Sequence, residues 1–144
     1  MTTTKQAYAI LCQGNYTCVL TDGESTYTSH QRGVRPLLEL LDSGMDLRGF
    51  CAADKVVGRA AAMIYCLMGI RALCAVVISE SALSVLHSHG IETEYDRLVP
   101  GIRNRTDTGP CPREQVTSGV DDPQEALCVI RQKLRELSVT PLSV

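Results

Sequence analysis

The sequence predicts an α/β domain, a three-layer α/β/α sandwich around a mixed sheet, and three observations carry that expectation. Ala72 to Ile78 is continuously apolar, a pattern that suits a central strand covered on both faces. Thr21-Asp22-Gly23-Glu24 separates two runs rich in β formers, which marks a hairpin turn and makes one strand pair antiparallel. Through the rest of the chain, helical periodicity alternates with strand-like runs. That alternation calls for parallel strands joined by helices that pack on the faces of the sheet.

The elements follow in order. Ala7, Ile10 and Leu11 make one stripe of a helix over 3–13, which Gly14 ends. Tyr16 to Leu20 and Ser25 to Ser29 form the hairpin strands. Val34 to Leu41 is a short helix with Pro36 in its first turn, stopped by Asp42-Ser43-Gly44. Leu47 to Ala52 reads as a buried strand, and Asp54 to Met68 as a helix closed by Gly69. After the apolar strand, Ser79 caps a helix that runs to His89 and closes at Gly90. Ile91 to Leu98 carries charges that suit an edge strand. Residues 99–121, with Pro100, Gly101, Gly109, Pro110, Pro112 and Gly119, form a long loop. Asp121-Asp122-Pro123 opens a last helix whose stripe is Ala126, Leu127, Ile130, Leu134 and Leu137. The whole chain, 1–144, is expected to be one domain, with 1–5 and 139–144 frayed.

Composition excludes several functions. Fourteen basic residues against sixteen acidic ones give a net charge of −2, so no global field recruits nucleic acid or anionic lipid. Trp is absent, Phe50 stands alone and five Tyr are scattered, so there is no stacking platform for bases. The apolar run from Ala60 to Met68 is too short to span a bilayer, and the N-terminus has no secretory pattern, so the expected location is cytoplasmic. Seven cysteines, at 12, 18, 51, 66, 74, 111 and 128, show no C-x-x-C spacing. Cys66, Cys74 and Cys128 fall within apolar patterns and are expected in a reduced core.

The chemistry concentrates at Cys51-Ala52-Ala53-Asp54-Lys55, an acid and a base that run into Val56-Val57-Gly58-Arg59-Ala60-Ala61-Ala62. Asp54 reads as the N-cap of the following helix, whose small residues let it press on the sheet. If both helix starts point to one end of the sheet, Asp54, Lys55, Ser79 and Glu80 share a polar pocket. One carboxylate there suits a general base, while Lys55 or a helix dipole steadies a developing anion. The plainer role of Asp54 and Ser79 as caps coexists with this one. Arg103-Asn104-Arg105 supplies donors for a phosphate or carboxylate. Cys111, between two prolines at a helix start, has the setting of an activated thiol, but no His is near it in sequence to serve as its base, and a packed turn residue is the plainer reading. His87 and His89 are two apart on one helix and make a poor metal pair, and no phosphate-loop pattern occurs. No metal and no cofactor are expected.

The helix-capped hairpin followed by two strand–helix units resembles the cytidine deaminase-like fold. Arg32-Gly33-Val34-Arg35-Pro36, Ala53-Asp54-Lys55-Val56-Val57-Gly58, Ser79-Glu80 and Asn104-Arg105 resemble, more closely, a small prokaryotic family designated a domain of unknown function and assigned to that fold. Deaminases of the superfamily carry a His- or Cys-Ala-Glu motif at one helix start and Pro-Cys-x-x-Cys at the next. Set against the motif, Ala53-Asp54 falls where Ala-Glu belongs, Ala52 replaces the first ligand, and Ser79-Glu80-Ser81-Ala82-Leu83 replaces both thiolates. The resemblance therefore implies the fold without zinc-dependent deamination.

Three functions stand on these residues. The first is binding of a small anionic or nucleotide-like ligand in a zinc-free deaminase-type cleft, with Ser79, Arg103, Asn104 and Arg105 as ligand-binding residues. The second is a metal-independent enzyme with Asp54, Lys55, Glu80 and Cys111 as catalytic residues. The third is a regulatory or interaction protein with a vestigial site. The sequence leaves room for a homo-oligomer and does not fix an enzyme activity.

Overall fold

The computed structural model describes residues 3–30, 34–101 and 122–139. The expected loop over 99–121, with Arg103, Asn104, Arg105 and Cys111, lies almost wholly outside the described residues, as does Arg32-Gly33. The described chain forms one mixed five-stranded sheet and five helices.

Helix α1 (Thr3–Gly14) buries Ala7 and Leu11 on the stripe read from the sequence. It begins within the stretch expected to fray. Asn15 follows it in the left-handed region, at φ 53°, a conformation that Asn tolerates after a helix end. Strands β1 (Cys18–Thr21) and β2 (Thr26–Ser29) make the hairpin. Its turn is held by Asp22, whose Oδ1 accepts from the backbone N–H groups of Glu24 and Ser25 at 2.9 and 2.7 Å. Helix α2 (Arg35–Asp42) has Pro36 in its first turn, where no intrahelical N–H is required.

Next come β3 (Cys51–Val57), α3 (Arg59–Met68), β4 (Ala72–Ser79), α4 (Glu80–Ser88), β5 (Glu92–Val99) and α5 (Pro123–Val139). Strand order is β2-β1-β3-β4-β5. β1 is antiparallel to both β2 and β3, whereas β3, β4 and β5 run parallel. β4 is an interior strand, paired on both sides by β3 and β5, as its apolar run predicts, and β5 is an edge. Helix α1 packs against β1, β3 and β4, where Ala7, Leu11, Val19 and Ala53 form a small core. The main core contains Tyr65, Met63, Ile64, Leu73, Leu86 and Ile130, and α3 touches α2, α4 and α5.

Two expectations change. The strand placed at Leu47 to Ala52 is Cys51–Val57, and the helix placed from Asp54 starts only at Arg59. The reason is pairing on both sides: Asp54 lies opposite Cys18 of β1 and Ala75 of β4. Asp54 is therefore a strand residue and not a helix cap. Among the cysteines, Cys74 is buried as expected, Cys66 is half-buried and Cys128 is exposed, while Cys18 and Cys51 are buried instead. Cys128 sits on α5 between the buried positions Ala126 and Ile130, off the helix stripe that faces the core.

Candidate functional site

The strand-to-helix junctions at the C-terminal ends of β3 and β4 lie side by side, because the register sets Val57 opposite Ile78. At the second junction Ser79 is fully buried and extended, and its Oγ accepts from the Ala82 N–H at 3.1 Å. That is the cap read from the sequence. Glu80 follows in the first turn of α4, exposed.

At the first junction Gly58 occupies the N-cap position, with no side-chain capping bond. The first-turn N–H groups of α3 therefore receive nothing from the cap residue. Arg59, the first residue of α3, sends Nη1 to Ser81 Oγ at 2.8 Å, across to the first turn of α4. A guanidinium thus links the two helix starts.

Asp54 and Lys55 do not join them. Asp54 lies four residues before Gly58, roughly 13 Å back along the strand. Its carboxyl faces α3, where the Tyr65 hydroxyl donates to Oδ2 at 2.8 Å and the Val56 N–H to Oδ1 at 3.2 Å. Cys18 Sγ is 3.3 Å from the same hydroxyl, so thiol, phenol and carboxyl form a buried chain. Burial pushes the Asp54 carboxyl up to about 7, against the hydrogen bonds from Tyr65 and from the Val56 and Lys55 backbone. Burial also raises Tyr65 and Cys18, and the neighbouring Asp54 charge raises both further. Lys55 is the next residue along the strand, so its side chain points to the opposite face. Its Nζ donates to Asn15 Oδ1 at 2.9 Å.

Of the eight residues singled out from the sequence, the structure brings Ser79 and Glu80 together and separates Asp54 and Lys55 from them. Arg103, Asn104, Arg105 and Cys111 are outside the described residues. Sequence reasoning missed Arg59 and Tyr65. Both left signals: a cation at a helix start opposes the helix dipole unless something engages it, and Tyr65 is the one hydroxyl in an otherwise apolar helix segment. The motif comparison also moves, since the residues at the first helix start are Gly58-Arg59-Ala60 and contain no thiol, imidazole or carboxyl. Among the described residues, no group of three His, Cys, Asp or Glu is placed to hold a metal ion.

These features define an α/β domain with a polar end formed by two adjacent strand-to-helix junctions. The chain belongs to the family described as TM1506, domain of unknown function (DUF1893), whose model matches residues 6–134. It is similar to the crystal structure of a DUF1893 family protein (TM1506) from Thermotoga maritima. The two share 29% identity with a TM-score of 0.84, over 90% of this chain and 88% of that one. No curated protein matches the chain.

Proposed function

We propose that this protein binds a small anionic, nucleotide-like ligand at the end of the sheet where α3 and α4 begin. The observation that carries the reading is Arg59, which spans from the first residue of α3 to Ser81 on α4. The uncapped start of α3 and a guanidinium create a region of positive potential that favours phosphate or carboxylate oxygens. The α3 start contributes most, because Gly58 puts no side chain between an incoming anion and the backbone N–H groups. The Ser79 hydroxyl is engaged by Ala82, which makes it a builder of the α4 start more than a ligand contact.

The deaminase-like reading of the fold belongs to the same proposal. Support comes from β1 of the hairpin, packed under α1, and the two strand–helix units that follow it. A cytoplasmic place suits the free thiols of Cys12, Cys18, Cys51, Cys66, Cys74 and Cys128. No described helix is long and apolar enough to cross a membrane.

Thermal-shift titration with inorganic pyrophosphate, nucleoside monophosphates and nucleoside diphosphates tests the reading. A ligand held at a hundred times its Kd stabilises by about 2.7 kcal/mol, and Arg59→Gln is expected to abolish that shift while the apo protein still melts cooperatively. Failure of all these anions to stabilise the protein, or an undiminished shift in Arg59→Gln, would overturn it.

A further inference from the structure

β5 closes one side of the sheet, and among the described residues no strand pairs with its outer edge. Six of its eight residues are exposed, including Tyr95 at 42% and Leu98 at 40%. β5 is eight residues long and has neither proline nor lysine, so its charged side chains, Glu92, Glu94, Asp96 and Arg97, are what guard this edge. Alongside it runs α4. Glu80, Leu83, Ser84, His87 and Ser88 of α4, together with Leu98 of β5, bound an open groove of about 560 Å³.

A helix beside an unpaired strand edge is a receptor for an added strand. The guest backbone bonds to the edge, and alternate guest side chains enter the groove. Charge selects the guest: Glu92, Glu94 and Asp96 alternate along β5 on the face toward α1, where Asp96 accepts from the Tyr8 hydroxyl, Arg97 is the one cation of the strand, and Glu80 is the carboxylate of the groove itself. Leu83 and Leu98 supply an apolar floor. We propose that β5 and α4 bind an extended basic segment of a partner protein by strand addition, with apolar side chains alternating between the basic ones.

A second copy of the chain fits poorly in the registers that pair most of the strand. In an antiparallel pair related by a two-fold axis, residues equally spaced about the axis face each other from the same side of the sheet. Centred on Tyr95, the pair sets Glu94 against Asp96; centred on Glu94, Asp96 or Arg97, it sets that residue against itself. Like charges directly opposite are destabilising.

Fluorescence anisotropy with a labelled octapeptide of alternating Lys and Val tests the proposal. The Lys-Val peptide is expected to bind. Its Glu-Val counterpart is expected not to bind, and a Lys-Val peptide N-methylated at alternate residues is expected to lose binding. Glu92→Lys combined with Glu94→Lys should weaken the Lys-Val peptide at least tenfold. Arg59→Gln should leave it unchanged, which separates this surface from the ligand site proposed above. Absence of Lys-Val binding overturns the proposal. So does equal binding of the N-methylated peptide, which would mean charge attraction without strand pairing. Protection of the outward-facing β5 amides from hydrogen exchange in the free protein would also overturn it, because the edge would already be occupied.

Discussion

The junctions β3–α3 and β4–α4 have the same topology and opposite construction. At β4–α4 the acceptor stands where the helix starts: Ser79 ends the strand, takes the Ala82 N–H, and Glu80 follows in the first turn. At β3–α3 the side chain that looks like a cap, Asp54, is drawn back into the sheet and bonded to Tyr65, and the helix starts bare at Gly58. The β4–α4 junction caps its own helix start. The β3–α3 junction leaves its start to Arg59 and whatever meets it there, and stores its carboxyl in the core. A cap residue therefore acts as a cap only where the strand ladder has ended. Ser79 is the last residue paired in β4, whereas Asp54 is paired on both sides.

The largest expected effect breaks the buried side of this comparison. Tyr65→Ala removes a fully buried aromatic and the donor to Asp54, and is expected to cost about 3–5 kcal/mol in urea unfolding. Next is pH. The folded Asp54 keeps its proton up to about 7, whereas the ordinary value is 3.8, so between about pH 4 and 7 the folded state holds more protons than the unfolded one. Stability should therefore fall as pH rises through that window and level off above it. The full loss is about 4 kcal/mol, taking about 1.4 kcal/mol for each tenfold step. Asp54→Asn should flatten the slope, and an unchanged pH profile in that variant would remove the buried-acid account. Ser79→Ala, at the capped junction, is expected to cost about 0.5–2 kcal/mol with no such pH dependence. Smallest is Gly58→Ser, which supplies the missing cap and is expected to stabilise α3 by a few tenths of a kcal/mol, visible as a slightly raised Tm.

Most of the sheet was legible because its signals are local. The apolar run of β4, the Asp22 turn, Pro36 in a first turn and Ser79 before a helix each depend on neighbours within a few residues. The site was legible only in part. Asp54 reads as a cap until Tyr65, eleven residues on, and Cys18, thirty-six residues back, are seen around it. Lys55 is adjacent in sequence, and strand alternation turns it away. Cys128 lies among buried neighbours on α5, yet its position around the helix axis takes it to the surface.

The strand order also bears on how the chain is made. All four residues of β1 are buried, and one of the two strands that bury them is β3. β3 begins at Cys51, thirty residues after β1 ends at Thr21. A chain emerging from the ribosome therefore presents Cys18-Val19-Leu20 with only β2 at its side until those thirty residues have followed. The segment β3–α3–β4–α4–β5, by contrast, joins each strand to the next in order and can build on itself as it appears. During synthesis the N-terminal hairpin waits for its partner, and that interval is when its apolar edge is open to chaperones and to other nascent chains.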